Sequence, residues 1–140
     1  MSDCVVDASV IAAAFFQEEH ADASGALLAS AQSLQAPDLI YAETANVIWK
    51  RHRRSEIDAE EASQLLDDMM QLPLQVTPSA ELVGLALQLS LQFDRTVYDC
   101  LYLALAAQID LVMLTADQRL VNSLKGSPLE RHLAWIGDQS

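Results

Sequence analysis

Positive charge is scarce in this sequence. Its 140 residues hold 8 Lys plus Arg against 20 Asp plus Glu, a formal net charge of −12. A module that binds nucleic acid by charge alone normally shows a basic stripe toward the phosphates, and this balance speaks against one. Cysteine is scarcer still. Cys4 and Cys100 do not make a disulfide scaffold, and their flanks, Cys4-Val5-Val6 and Asp99-Cys100-Leu101, read as buried thiols in a reducing compartment. Gly and Pro number four each and fall at joints between periodic stretches, which excludes a linker. Long apolar runs are missing. The longest, Cys100 to Ala107, is far short of the roughly 20 residues that cross a membrane. Met1-Ser2-Asp3-Cys4 has neither the basic nor the apolar region of a secretory signal. A soluble cytoplasmic protein, with no membrane association, is expected.

Hydrophobic residues are plentiful at 51%, enough for a packed core, and the length suits one domain over residues 1–140. Cys4-Val5-Val6 reads as a first strand, followed by a helix from Val10 to Phe16. Ala21 to Gln32 reads as a second helix. Pro37-Asp38 opens a third, Leu39 to Arg53, with Asp38 as its cap. Asp58 and Glu61 have capping-box spacing and open a helix to about Met70. Leu74-Gln75-Val76-Thr77 is a strand between prolines; Ser79 and Thr96 each cap a helix, to about Phe93 and Gln108. Leu111 to Thr115 is the clearest buried strand, Asp117 to Lys125 a short helix, and Leu133 to Ile136 a last strand. Apolar strands alternating with helices predict an α/β sandwich around a mainly parallel sheet. In such sheets chemistry gathers beyond the carboxyl ends of the strands.

Four acids stand where acids are unusual. Asp7 directly follows the first strand and Asp117 follows the Leu111–Thr115 strand after one residue. Each has two roles open to it, a helix N-cap or a group at the sheet edge. Glu43 interrupts the apolar stripe Leu39, Ile40, Val47, Ile48, and Asp99 is embedded in Val97-Tyr98-Asp99-Cys100-Leu101. A buried bare carboxylate costs several kcal/mol or more, so each needs either solvent, a capping role (Thr96 lies three residues before Asp99) or a partner. Converging carboxylates repel unless a cation lies between them. Oxygen-only donors indicate a hard ion, Mg²⁺ or Mn²⁺, whereas His20, His52, His132 and the cysteines show no zinc spacing. An acid-only Mg²⁺ site suits hydrolysis of phosphate esters.

The sequence resembles the PIN-domain ribonucleases, and most of all the small bacterial toxins of the VapC type. The resemblance rests on Val5-Val6-Asp7-Ala8-Ser9, on Pro37-Asp38-Leu39-Ile40-Tyr41-Ala42-Glu43, on Tyr98-Asp99-Cys100-Leu101-Tyr102-Leu103-Ala104, and on Leu114-Thr115-Ala116-Asp117-Gln118-Arg119-Leu120, in that order along the chain. It implies a PIN-like three-layer α/β/α sandwich with a central sheet of four to five strands. It implies Mg²⁺-dependent (or Mn²⁺-dependent) endonucleolytic cleavage of RNA, with Asp7, Glu43, Asp99 and Asp117 as catalytic and metal-site acids. Ser9 and Thr115 correspond to supporting hydroxyls; a helix cap and an ordinary strand residue are the plainer alternatives. Cys100 departs from the small residue usual after the third acid. A homodimer and a cognate antitoxin partner are implied as well. A catalytically silent PIN-like binding module is the alternative. A phosphoaspartate receiver fits less well, because only Asp7 follows the first strand and Lys125 sits in a helix. A phosphatase requiring Asp-x-Asp is excluded by Ser9.

Half of the cations, Lys50, Arg51, Arg53 and Arg54, crowd the end of the Glu43 helix. They either complement the helix dipole in solvent or contact RNA; Arg95 and Arg119 are rival RNA contacts. The aromatics are few. Tyr41, Tyr98 and Tyr102 are expected mainly in core packing, Trp49 and Trp135 in the core or a dimer interface.

Overall fold

The three residues Cys4–Val6 form β1, and all are buried. A strand buried on both faces needs helices on both faces. The computed structural model, which describes residues 3–30 and 33–139, supplies them. β1 is followed by α1 (Ala8–Phe15), α2 (Ala21–Leu28), β2 (Leu34–Pro37), α3 (Leu39–Arg53), α4 (Ala59–Met70), β3 (Leu74–Thr77), α5 (Val83–Phe93), α6 (Val97–Ile109), β4 (Met113–Thr115), α7 (Gln118–Ser123) and β5 (Leu133–Trp135). The five strands form one parallel sheet in the order β3-β2-β1-β4-β5. α1, α2 and α3 pack as one group; α5 packs on α6, which lies against β1, β2 and β4. Every residue of α6 from Cys100 to Ala106 is buried, as a helix apolar on all sides requires. Both cysteines are buried free thiols.

Local chemistry explains most boundaries. The capping box of Asp58 and Glu61 forms at the start of α4, and the Thr96 hydroxyl accepts from Asp99 N–H at the start of α6. Among the described residues, no helix is long and apolar enough to cross a membrane.

Four expectations need correction. β2 was not expected, because Leu34-Gln35-Ala36-Pro37 lacks β-branched residues and ends in proline. Pro37 is tolerated because β1 pairs only with Leu34 and Gln35, so its missing N–H falls past the end of that ladder. The second helix ends at Leu28, and the expected extension to Gln32 reaches positions 31–32, outside the described residues. Asp38 does not cap α3 with its side chain. Its carboxylate instead accepts from Ser79 N–H at 3.0 Å and from the Ser79 hydroxyl, joining the ends of β2 and β3. Ser79 therefore begins a 3₁₀ turn, Ser79–Glu81, ahead of α5 and not α5 itself.

Candidate active site

The strand order places the site before any side chain is considered. The chain runs outward from β1 to β2 and β3, then returns to the other side of β1 for β4 and β5. This reversal lies between β1 and β4, and a crevice opens beyond their carboxyl ends. Asp7 leaves β1 and Asp117 leaves β4, separated from it by Ala116. Glu43 lies just over one turn into α3, the helix that leaves the carboxyl end of β2. α6 precedes β4 and returns the chain to the amino edge of the sheet. Its first turn, with Asp99, therefore stands at the carboxyl edge. Four distant segments deliver four acids to one edge.

The cap and the site turn out to be compatible roles, because a carboxylate has two oxygens. Asp7 Oδ1 accepts from Ser9 N–H at 3.0 Å, Val10 N–H at 3.3 Å and the Ser9 hydroxyl at 2.5 Å, which caps α1. Its Oδ2 accepts from the Thr115 hydroxyl at 2.6 Å. Asp117 Oδ1 caps α7, accepting from Arg119 and Leu120 N–H. The two turns are bound to each other through the same hydroxyls. Ala116 N–H donates to Ser9 Oγ at 2.9 Å, Asp117 N–H donates to Thr115 Oγ1 at 3.1 Å, and the hydroxyl oxygens lie 3.2 Å apart. Ser9 and Thr115 thus fix Asp7 and Asp117 relative to one another, and Thr115 has no exposed surface.

One functional contact escaped the sequence reading. Tyr102, buried in α6, donates its hydroxyl to Glu43 Oε1 at 2.5 Å. Core packing alone was expected of it. The available signal was its spacing: Tyr102 follows Asp99 by three residues, on the same face of α6. Tyr98 is well exposed, and Tyr41 is partly buried against the core.

The electrostatics are those of buried carboxyls, with smaller repulsion between neighbours. Burial raises the Asp7 carboxyl from 3.8 to about 6; the bonds from Ser9, Thr115 and Val10 oppose it, and Glu43 adds to it. Burial also raises Glu43, opposed by the Tyr102 hydroxyl and reinforced by Asp99. Burial raises Asp99 too, with Arg95 pulling down and Asp117 pushing up. The mutual repulsion runs from Asp7 to Glu43, Asp99 and Asp117 without a break.

The donor set is all oxygen, the chemistry a hard cation takes. Among the described residues, no three Asp, Glu, His or Cys side chains form a group that could hold a metal ion as they stand. The acids do not close a cage. That arrangement suits Mg²⁺, which keeps several waters and takes one or two carboxylates plus substrate phosphate oxygens. It does not suit a structural ion enclosed by protein.

The cations take separate roles. Arg51 pairs with Glu18 at 3.1 Å and Glu56 at 3.0 Å, and its guanidinium lies 4.6 Å from the Phe16 ring centroid. Arg53 sits over Trp49, which is half exposed and outside the expected core. Arg54 and Lys50 line a groove of about 560 Å³ that Ser9 and Asp117 also line. Among the described residues, neither has an ion-pair partner. Arg119 is exposed in the first turn of α7, and Arg95 is partly buried with an unpartnered Nε.

A parallel α/β sheet with four carboxylates at its switch point defines a class of acidic-cleft proteins suited to hard-ion chemistry. The particular family follows from comparison with known proteins. The PIN-domain family model matches residues 4–123, and the chain belongs to that family. It is 39% identical over 118 residues to Ribonuclease VapC3 of Pyrobaculum aerophilum, covering 83% of this chain and 90% of that protein. It is 32% identical over 131 residues to Ribonuclease VapC1 of Mycobacterium tuberculosis, covering 93% and 96%. Its fold matches VapBC2 of Rickettsia felis, solved bound to a promoter DNA fragment, with a TM-score of 0.67 at 16% identity, over 96% of this chain and 98% of that one.

Proposed function

We propose that this protein is a divalent-metal-dependent endoribonuclease and the toxin of a toxin–antitoxin pair. One observation carries the reading: Asp7, Glu43, Asp99 and Asp117 follow one another along the carboxyl edge of the sheet, each repelling the next, with the first three carboxyls pushed upward chiefly by burial. A protein gains nothing from that repulsion unless a cation relieves it. The ribonuclease names of its relatives over nearly their whole length support the chemistry.

Mg²⁺, or Mn²⁺, held at these acids would lower the pKa of a bound water, orient it and neutralise charge at the leaving oxygen. The chain's own groups set that chemistry up. Ser9 and Thr115 hold Asp7 and Asp117 in register. Tyr102 orients Glu43 so that Oε2 is left for the cleft. Lys50 and Arg54 meet the RNA backbone along the groove, with Arg53, Arg95 and Arg119 as further contacts. Arg51 braces the groove wall through Glu18 and Glu56.

The same reading includes a cytoplasmic homodimer of one-domain chains, silenced by an antitoxin. Incubating the purified protein with mixed RNA in Mg²⁺, Mn²⁺ or EDTA tests the catalytic part. Cleavage in the metals and none in EDTA is expected. Intact RNA in all three would refute it.

A further inference from the structure

The groove beside the acids holds an aromatic pair, one member of which, Trp135, also packs against the core. His20 and Trp135 both line it, with Ser9 and Asp117 at one end and Lys50 and Arg54 along it. The two rings meet edge to face, 84° apart, with centroids 4.9 Å from each other. The indole occupies space that only a glycine neighbour leaves open. A Cβ at Gly137 would lie 2.5–2.7 Å from three ring carbons of Trp135, so only glycine lets the ring fold back over the backbone there. The φ of His20 is 68°, a left-handed conformation in which histidine is enriched, its side chain makes no capping bond to α2, and its Nε2 lies 3.5 Å from Glu19 Oε1. A histidine and a tryptophan that line one groove and meet edge to face offer an aromatic surface to a ligand with an aromatic face.

Resting on the ribonuclease reading above, we infer that His20 and Trp135 form a subsite for one unpaired nucleobase next to the phosphate met by the acids. The surroundings choose the ligand. Lys50, Arg51 and Arg54 offer cations to the phosphates of a strand, while Glu18, Glu19 and Asp117 on the same lining balance them, so the aromatic surface and not net charge favours a base. Unstacked bases are held in this way on aromatic side chains. The subsite makes the enzyme a reader of single-stranded or looped RNA, because a base inside a duplex cannot reach the rings. This offsets the weak backbone attraction of a chain with net charge −12.

Trp49 and Trp135 are the two tryptophans. Trp49 lies outside the groove, so Trp49→Phe leaves Trp135 as a reporter within it. Stopped-flow emission is recorded in Mg²⁺ on mixing with a random-sequence pool of short RNAs, and with an abasic sugar-phosphate chain of equal length. The base-bearing pool should quench Trp135 before cleavage, and the abasic chain should not. His20→Ala should raise KM for base-bearing RNA about tenfold with kcat little changed, and should erase the difference between the two substrates. Cleavage with an unresponsive Trp135, or equal KM for both substrates, would overturn the subsite and leave the ribonuclease reading intact. Cleavage of neither would remove both. Quenching by an arginine-rich peptide and not by RNA would overturn it in favour of a peptide groove.

Discussion

Tyr102 and Glu43 lie 59 positions apart in the chain, and the tyrosine hydroxyl donates to the glutamate Oε1 at 2.5 Å, linking α6 to α3. The donor comes from a fully packed helix, so it fixes one oxygen of an acid that is otherwise repelled by Asp99. A hydrogen bond to a charged group contributes about 1.5–3 kcal/mol. Tyr102→Phe should therefore lower RNA cleavage on the order of 10- to 100-fold while the ring keeps the core filled. Parallel cleavage assays and thermal melts check this; a lowered melting temperature with unchanged specific activity of the folded protein would assign Tyr102 to packing alone.

Thr115→Val keeps the shape and removes the hydroxyl that serves Asp7 and Asp117 N–H together. Two buried polar groups lose a partner, so the expected destabilisation is about 1–3 kcal/mol. Ser9→Ala acts on the same network, and the double variant should lose less than the sum of the singles. Denaturant midpoints of the four proteins measure the coupling.

The acids also predict how the metal-free protein responds to pH. A carboxyl raised in the folded state from 3.8 to about 6 binds its proton more tightly there than in the unfolded chain. Its ionisation therefore opposes folding above pH 6, by up to roughly 3 kcal/mol. That penalty is relieved as pH falls through 6 toward 4. From this group, melting temperature in EDTA should stay level from pH 8 to about 7 and rise as pH falls through 6 toward 4, and Asp7→Asn should flatten the rise. Saturating Mg²⁺ should raise stability most at pH 8, where the carboxylates are ionised.

Much of this site was legible in the sequence. Asp7 and Asp117 stood out as acids directly after apolar strands, and Glu43 and Asp99 as acids on apolar helix faces. What was not legible depended on pairing between distant segments. β2 is a strand because β1 and β3 flank it, not because Leu34-Gln35-Ala36-Pro37 favours one. Asp38 looked like a cap until Ser79 came within reach from the end of β3. Tyr102 looked like core because a helix apolar on all sides hides which residue meets Glu43.

The clustered cations divide by partner. Lys50→Ala with Arg54→Ala should weaken RNA binding and reduce the slope of log affinity against log salt by roughly 1–2, the counterion release of two phosphate contacts. Arg51→Ala should instead lower stability, since Glu18, Glu56 and the Phe16 face lose their common partner. Salt-dependent binding and melting of both variants separate the roles.

The central claim is that the four carboxylates act as one cation site that cuts RNA. It is tested most directly by cleavage of mixed RNA in Mg²⁺ by Asp7→Asn, Glu43→Gln, Asp99→Asn and Asp117→Asn, each confirmed folded by its melting curve. The account predicts that the wild type cuts and that every variant is slowed at least about 100-fold, a loss of roughly 3 kcal/mol or more in transition-state stabilisation. Full activity in Asp99→Asn, or cleavage by the wild type that persists in EDTA, would contradict it.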